Sequence, residues 1–155
     1  MTDQEKHKAK QELFFIAEGI IRQRIETSTL AMQQAQESAN SDDKSSAGDK
    51  YETSRAAGQL ESEMHGVSLK QHKKDLAFLH TIDPAILHQA SGLGAAVRCP
   101  DFLFFISLGL GASVHRLGKV FMLSTQAPLA LALKGKHRGE QFLMNGKQME
   151  ILDVF

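Results

Sequence analysis

The chain has 155 residues, with 18 basic and 18 acidic side chains and 42% apolar content. That apolar fraction is too high for a disordered chain, and a net charge of zero supplies no bulk field toward nucleic acid or anionic lipid. A single cysteine, Cys99, excludes an internal disulfide and fits a reducing compartment. The opening residues are charged and carry no apolar h-region, so no signal peptide is expected. The longest apolar runs, residues 13–16 and 102–106, are far too short to span a bilayer. A cytoplasmic protein without membrane contact is the expectation.

All three prolines lie at or beyond Pro84, and eight of the twelve glycines lie at or beyond Gly92. A proline inside a helix costs about 3 kcal/mol, so their absence from the first 83 residues permits long helices. Residues 3–40 read as one helix, with Leu13, Phe14, Ile16, Ala17, Ile20 and Ile21 as an apolar stripe. The stripe thins to Ala31, Met32, Ala35 and Ala39, small residues that suit close packing on a second helix. Residues 40–49, NSDDKSSAGD, are turn chemistry. A second helix is expected over 49–80, with Ala57, Leu60, Met64, Val67, Gln71, Lys74 and Phe78 spaced as a heptad seam. Two such helices form an antiparallel hairpin, and at about 1.5 Å per residue each arm reaches about 50 Å. Its tip, residues 40–50, is polar, as the far end of a thin rod has to be.

The second half changes period. Residues 93–99, 102–110 and 119–123 read as strands, and 128–134 as a short apolar helix led by Pro128. Two closing strands flank Asn145-Gly146, the strongest short hairpin signal. The expected fold is therefore α+β: a coiled-coil hairpin over 1–82, a linker over 83–94, and a compact antiparallel sheet with one short helix over 95–155. Residues 1–80 hold 11 basic and 13 acidic groups and residues 81–155 hold 7 and 5, net −2 and +2. That split makes nucleic acid an indirect partner at most.

Residues 124–154, STQAPLALALKGKHRGEQFLMNGKQMEILDV, resemble the C-terminal signature of the Gre transcript-cleavage factors. The matching positions are Ser124, Pro128, Leu133, Gly135, Lys136, Gly139 and Glu140; Glu140 stands for the usual aspartate and Ala127 for a usual serine. AGDKYETSRAAGQLE is similar to the segment that leads from the tip into the second helix, with Tyr51, Arg55, Gln59 and Glu61 near the family positions. The string SSAGDKYETSRA resembles a divergent branch of the family more than its standard members. The resemblance implies an FKBP-like C-terminal domain without prolyl isomerase activity. It also implies an accessory factor rather than an enzyme, monomeric, with bacterial RNA polymerase as partner. In that family the hairpin enters the secondary channel, and tip carboxylates help hold the second Mg²⁺ while the polymerase cleaves backtracked RNA.

Two-metal phosphoryl transfer clamps both attacking and leaving oxygens, and Mg²⁺ takes hard oxygen ligands, so one or two delivered carboxylates suffice. The candidates are Asp42, Asp43 and Asp49, with no intrinsic cofactor and Mg²⁺ engaged only within the polymerase complex. With Tyr51 on the family tyrosine, however, the two usual acidic positions fall on Lys44 and Ala47. Ser46-x-x-Asp49 also reads as a capping box, which makes Asp49 a structural residue. Tyr51 and Arg55 are candidate partner contacts, and Tyr51 alternatively braces the hairpin end. Lys134, Lys136 and Arg138 form a basic turn, either a docking patch for an acidic polymerase surface or a solvated loop. The histidines show no zinc spacing, and Cys99 reads as a buried, inert thiol.

Overall fold

The computed structural model describes residues 1–41 and 48–155, and the side chains of residues 1–40 and 52–155. Two long helices open the chain, α1 (Asp3–Ser41) and α2 (Gly48–Leu79). They are followed by β1 (Ala96–Arg98), β2 (Phe102–Ser107), β3 (Gly111–His115), β4 (Gly118–Ser124), α3 (Pro128–Leu133), β5 (Gln141–Met144), β6 (Lys147–Glu150) and β7 (Asp153–Val154). The chain is α+β, a helical hairpin of α1 packed with α2 and a C-terminal sheet with one short helix. It divides into two compact units, Gly19–Ala77 and the combination of Met1–Glu18 with Phe78–Phe155.

In the unit Gly19–Ala77, the face of α2 that is covered is not the row that hydrophobic spacing selects. Leu60, Met64 and Val67 are 59%, 63% and 72% exposed. The covered row is Gly58, Ser62, His65, Leu69, His72 and Leu76, also alternating four and three apart. Close approach explains the choice. A Cβ at Gly58 would stand 2.9 Å from the Ala39 Cβ and 3.3 Å from the Ala35 carbonyl oxygen. Ser62 Oγ donates to the Met32 carbonyl oxygen at 3.4 Å, and a Cβ at Gly66 would lie 3.6 Å from the Met32 sulfur. Small side chains at Gly58, Ser62, Ala35 and Ala39 let the backbones come together, and Leu60, Met64 and Val67 are left outside.

The other unit is built on a five-stranded sheet in the order β3-β4-β2-β1-β7. All its neighbours are antiparallel except β2 and β4, which run parallel in register from Phe102 opposite Lys119 to Ser107 opposite Ser124. The sheet is thus antiparallel-rich, as expected, with one parallel pair at its centre. The chain leaves β2 through Leu108, Gly109 and Leu110, forms β3 at the sheet edge, and returns as β4 between the two. β5 and β6 form a separate hairpin whose turn residues Asn145 and Gly146 have φ of 51° and 77°, the type I′ geometry that an Asn-Gly pair permits.

One face of β2 supplies Phe104 and Ile106 to a core completed by Val97, Leu133, Phe142 and Ile151. The Phe104 ring lies tilted or edge-on to those of Phe102, Phe121 and Phe142, with centroids 5.1, 5.6 and 6.1 Å apart. Leu103 and Phe105 alternate to the opposite face and are also fully buried, as are Ala9, Leu13 and Ala17 of α1. The start of α1 carries a reciprocal capping box that the sequence reading did not include. Glu5 Oε2 accepts from the Thr2 amide at 2.7 Å, and the Glu5 amide donates to Thr2 Oγ1 at 3.1 Å.

Lys10 is buried in this unit, and its ammonium donates to the carbonyl oxygens of Gly94 and, at 3.3 Å, Phe155. Burial lowers its pKa from 10.5 to about 8, against the opposing charge of Asp83. Burial and then the Lys10 charge also lower the pKa of His88. The unfolded chain keeps the ordinary lysine value, so between about pH 8 and about pH 10 it binds a proton that the folded chain has released. Stability therefore rises with pH across that window. Urea midpoints are expected to climb from pH 7.5 to 9.5, and Lys10→Met is expected to flatten the climb. A flat wild-type profile would mean that Lys10 stays protonated in the fold.

Candidate functional site

The residues that sequence reasoning singled out fall into two groups. At the hairpin tip, Asp42 and Asp43 lie outside the described residues, as do Lys44 and Ala47. Asp49 and Tyr51 belong to the first turn of α2, but their side chains lie outside the described set. Arg55 is exposed on α2.

The second group is the basic turn after α3, and it is a braced structure. Lys134 caps α3 with its amide donating to the Leu131 carbonyl oxygen, and Gly135 follows at φ 76°. The Gly135 amide donates to the Ser91 carbonyl oxygen and the Ser91 amide to that of Lys136, both at 2.9 Å. His137 Nδ1 lies 3.1 Å from the Gln89 carbonyl oxygen. Glu140 ties the turn from its far side: Oε1 accepts from the His137 amide at 3.2 Å, and Oε2 pairs with Lys136 at 3.9 Å. Gly139, at φ 88°, donates to the Ile151 carbonyl oxygen at 2.8 Å. The backbone is cross-linked on both sides, so the cations sit on a fixed frame.

Two of the cations border different concavities. Lys134 borders a groove with Leu131, Gln126 and Leu93. Arg138 lines a cavity of about 600 Å³ together with Lys8, Arg98 and Arg116. Sequence reading missed this second cluster. Its members come from α1, the end of β1, the β3–β4 turn and the loop after α3, so no local spacing announces them.

Cys99 is buried, and burial pushes its thiol up to about 11 despite the nearby Arg98 charge, so it is a poor nucleophile at neutral pH. His65 and His72 sit half-buried along α2, and His65 pairs with Glu61 at 3.7 Å. Among the described residues, no three His, Cys, Asp or Glu side chains converge as a metal site. Ser113 Oγ and His115 Nε2 are 2.6 Å apart on the edge strand β3, with no carboxylate paired to the imidazole among the described residues. No described helix is long and apolar enough to cross a membrane.

No family model matches this chain, and no curated protein or solved structure matches it.

Proposed function

We propose that this chain is an accessory factor that inserts its helical hairpin into the secondary channel of bacterial RNA polymerase and modulates transcript elongation. The observation that carries the reading is the close packing of Gly58 on Ala35 and Ala39 near the tip end of the hairpin. Small seam residues keep the rod narrow where it has to pass a confined opening. Helices of 39 and 32 residues give it reach, about 50 Å for the shorter arm. The Gre-like string of the C-terminal half, with its braced Lys134, Lys136 and Arg138 turn, supports docking of that half on an acidic polymerase surface. In this reading the chain acts as a cytoplasmic monomer and touches nucleic acid only through the polymerase.

Two outcomes at the tip separate a cleavage factor from a channel occupant. Asp42 and Asp43, with Asp49, supply carboxylates of the right sign for a second Mg²⁺ in the polymerase active site. The occupant reading is favoured by the register, since Lys44 and Ala47 stand at the two positions where the family carries acids. Retention of core polymerase on the immobilised chain tests the common part, and failure to retain any polymerase subunit would overturn it. Backtracked complexes with Mg²⁺ test the tip. If the chain stimulates cleavage, Asp42→Ala with Asp43→Ala is expected to reduce the rate at least a hundredfold with binding unchanged. Undiminished cleavage by the double variant would make both acids turn residues only.

A further inference from the structure

We infer that the cavity lined by Lys8, Arg98, Arg116 and Arg138 binds a compact, multiply charged oxyanion, the diphosphate group of a phosphorylated small molecule. The site lies wholly within the unit formed by Met1–Glu18 and Phe78–Phe155 and does not depend on the polymerase reading. Its volume, about 600 Å³, lies in the range of small-molecule sites.

The charge balance inside it is unequal. Four cations line the space against two acids, Glu5 and Asp153, and both acids are already engaged. Glu5 Oε2 accepts from the Thr2 amide at 2.7 Å. Asp153 pairs with Lys6 at 3.4 Å and accepts from the Val154 amide at 2.9 Å. Arg116 is paired with Glu12, which lies outside the lining. Among the described residues, Lys8, Arg98 and Arg138 have no ion-pair partner. Arg98 is also half-buried, and a partly desolvated guanidinium without a counter-charge favours an incoming anion.

The cations are carried on fixed backbone. Arg98 ends β1, pairs across to Asp153 of β7, and its carbonyl oxygen accepts from the Leu152 amide at 2.8 Å. Arg138 sits between the Glu140-clamped His137 and Gly139. Guanidinium groups present paired donors that match phosphate oxygens, and several held on separate elements favour a polyvalent anion over a single carboxylate. A concave space of this size suits a small molecule better than the continuous track that a nucleic-acid backbone needs. Leu117 and Leu152 in the lining offer apolar surface to the rest of such a ligand.

The test is titration calorimetry on the full chain at 150 mM salt with inorganic pyrophosphate, orthophosphate and citrate. Saturable pyrophosphate binding, tighter than that of the other two, is expected. Arg98→Gln is expected to weaken it at least tenfold with the thermal midpoint of the unliganded protein unchanged. Arg98→Lys, which keeps the charge but loses the fork, should also weaken it, whereas Lys147→Gln on the separate β5–β6 hairpin should not. No saturable binding up to millimolar pyrophosphate, citrate binding as tightly, or unaltered binding by both Arg98 variants would each overturn the inference.

Discussion

Phe104→Ala is expected to be the most damaging single truncation in the chain. The side chain is fully buried and contacts the rings of Phe102, Phe121 and Phe142, which belong to three different strands. Removing a buried phenylalanine ring costs about 3–5 kcal/mol in transfer free energy and cavity together. A unit of this size loses several degrees per kcal/mol, so its thermal midpoint is expected to fall by more than about 10 °C. The same chemistry on the exposed row of α2 makes the control. Val67→Ala removes a side chain that is 72% exposed and should change stability by about 0.5 kcal/mol or less. Calorimetry of both variants decides the matter. A small loss at Phe104 would mean that the β2 core is loosely packed, and a large loss at Val67 would mean that its row is covered in solution.

That pairing also marks where the sequence was legible. Helix limits were readable to within a residue or so, because proline is absent and turn residues cluster at 40–49. Asn145-Gly146 located its hairpin, since two successive positive φ values are what that pair tolerates best. The seam was not legible. Two rows on α2 both alternate four and three, and hydrophobicity ranks Leu60, Met64 and Val67 above Gly58, Ser62 and His65. The covered row is set by Ala35 and Ala39 on the facing helix, a tertiary property that one helix does not encode. The strand β3 was missed for a related reason. Gly111–His115 is mostly exposed at the sheet edge and lacks a clean apolar alternation. The parallel pairing of β2 with β4 depends on that strand, because β4 inserts beside β2 only after β3 has turned the chain. For the candidate site, local strings found the basic turn but not the arginine cavity, whose four cations span residues 8 to 138.

Gly58→Leu is expected to have the largest functional effect without loss of the C-terminal fold. Helix propensity alone favours the change, by somewhat under 1 kcal/mol. Packing opposes it. Even a Cβ there would approach Ala39 Cβ to 2.9 Å and the Ala35 carbonyl oxygen to 3.3 Å, and neither neighbour is the end of a flexible chain that swings aside. The isobutyl group then has to separate the helices, with an overpacking cost of about 1–3 kcal/mol. Packing therefore wins, and the expected result is a wider hairpin that remains helical. Spin labels attached through Gln33→Cys and Glu63→Cys report the separation, since both positions are exposed on the hairpin and the native Cys99 is buried with a raised pKa. The label distance should grow by about 1–3 Å in Gly58→Leu while far-ultraviolet circular dichroism is retained. On the channel reading, the widened rod should lose any effect on elongation while docking of the C-terminal half retains some polymerase. An unchanged distance would show that the seam adapts around leucine. A widened hairpin with undiminished action on the polymerase would separate the narrowness of the rod from its function, and so remove the observation on which the channel reading rests.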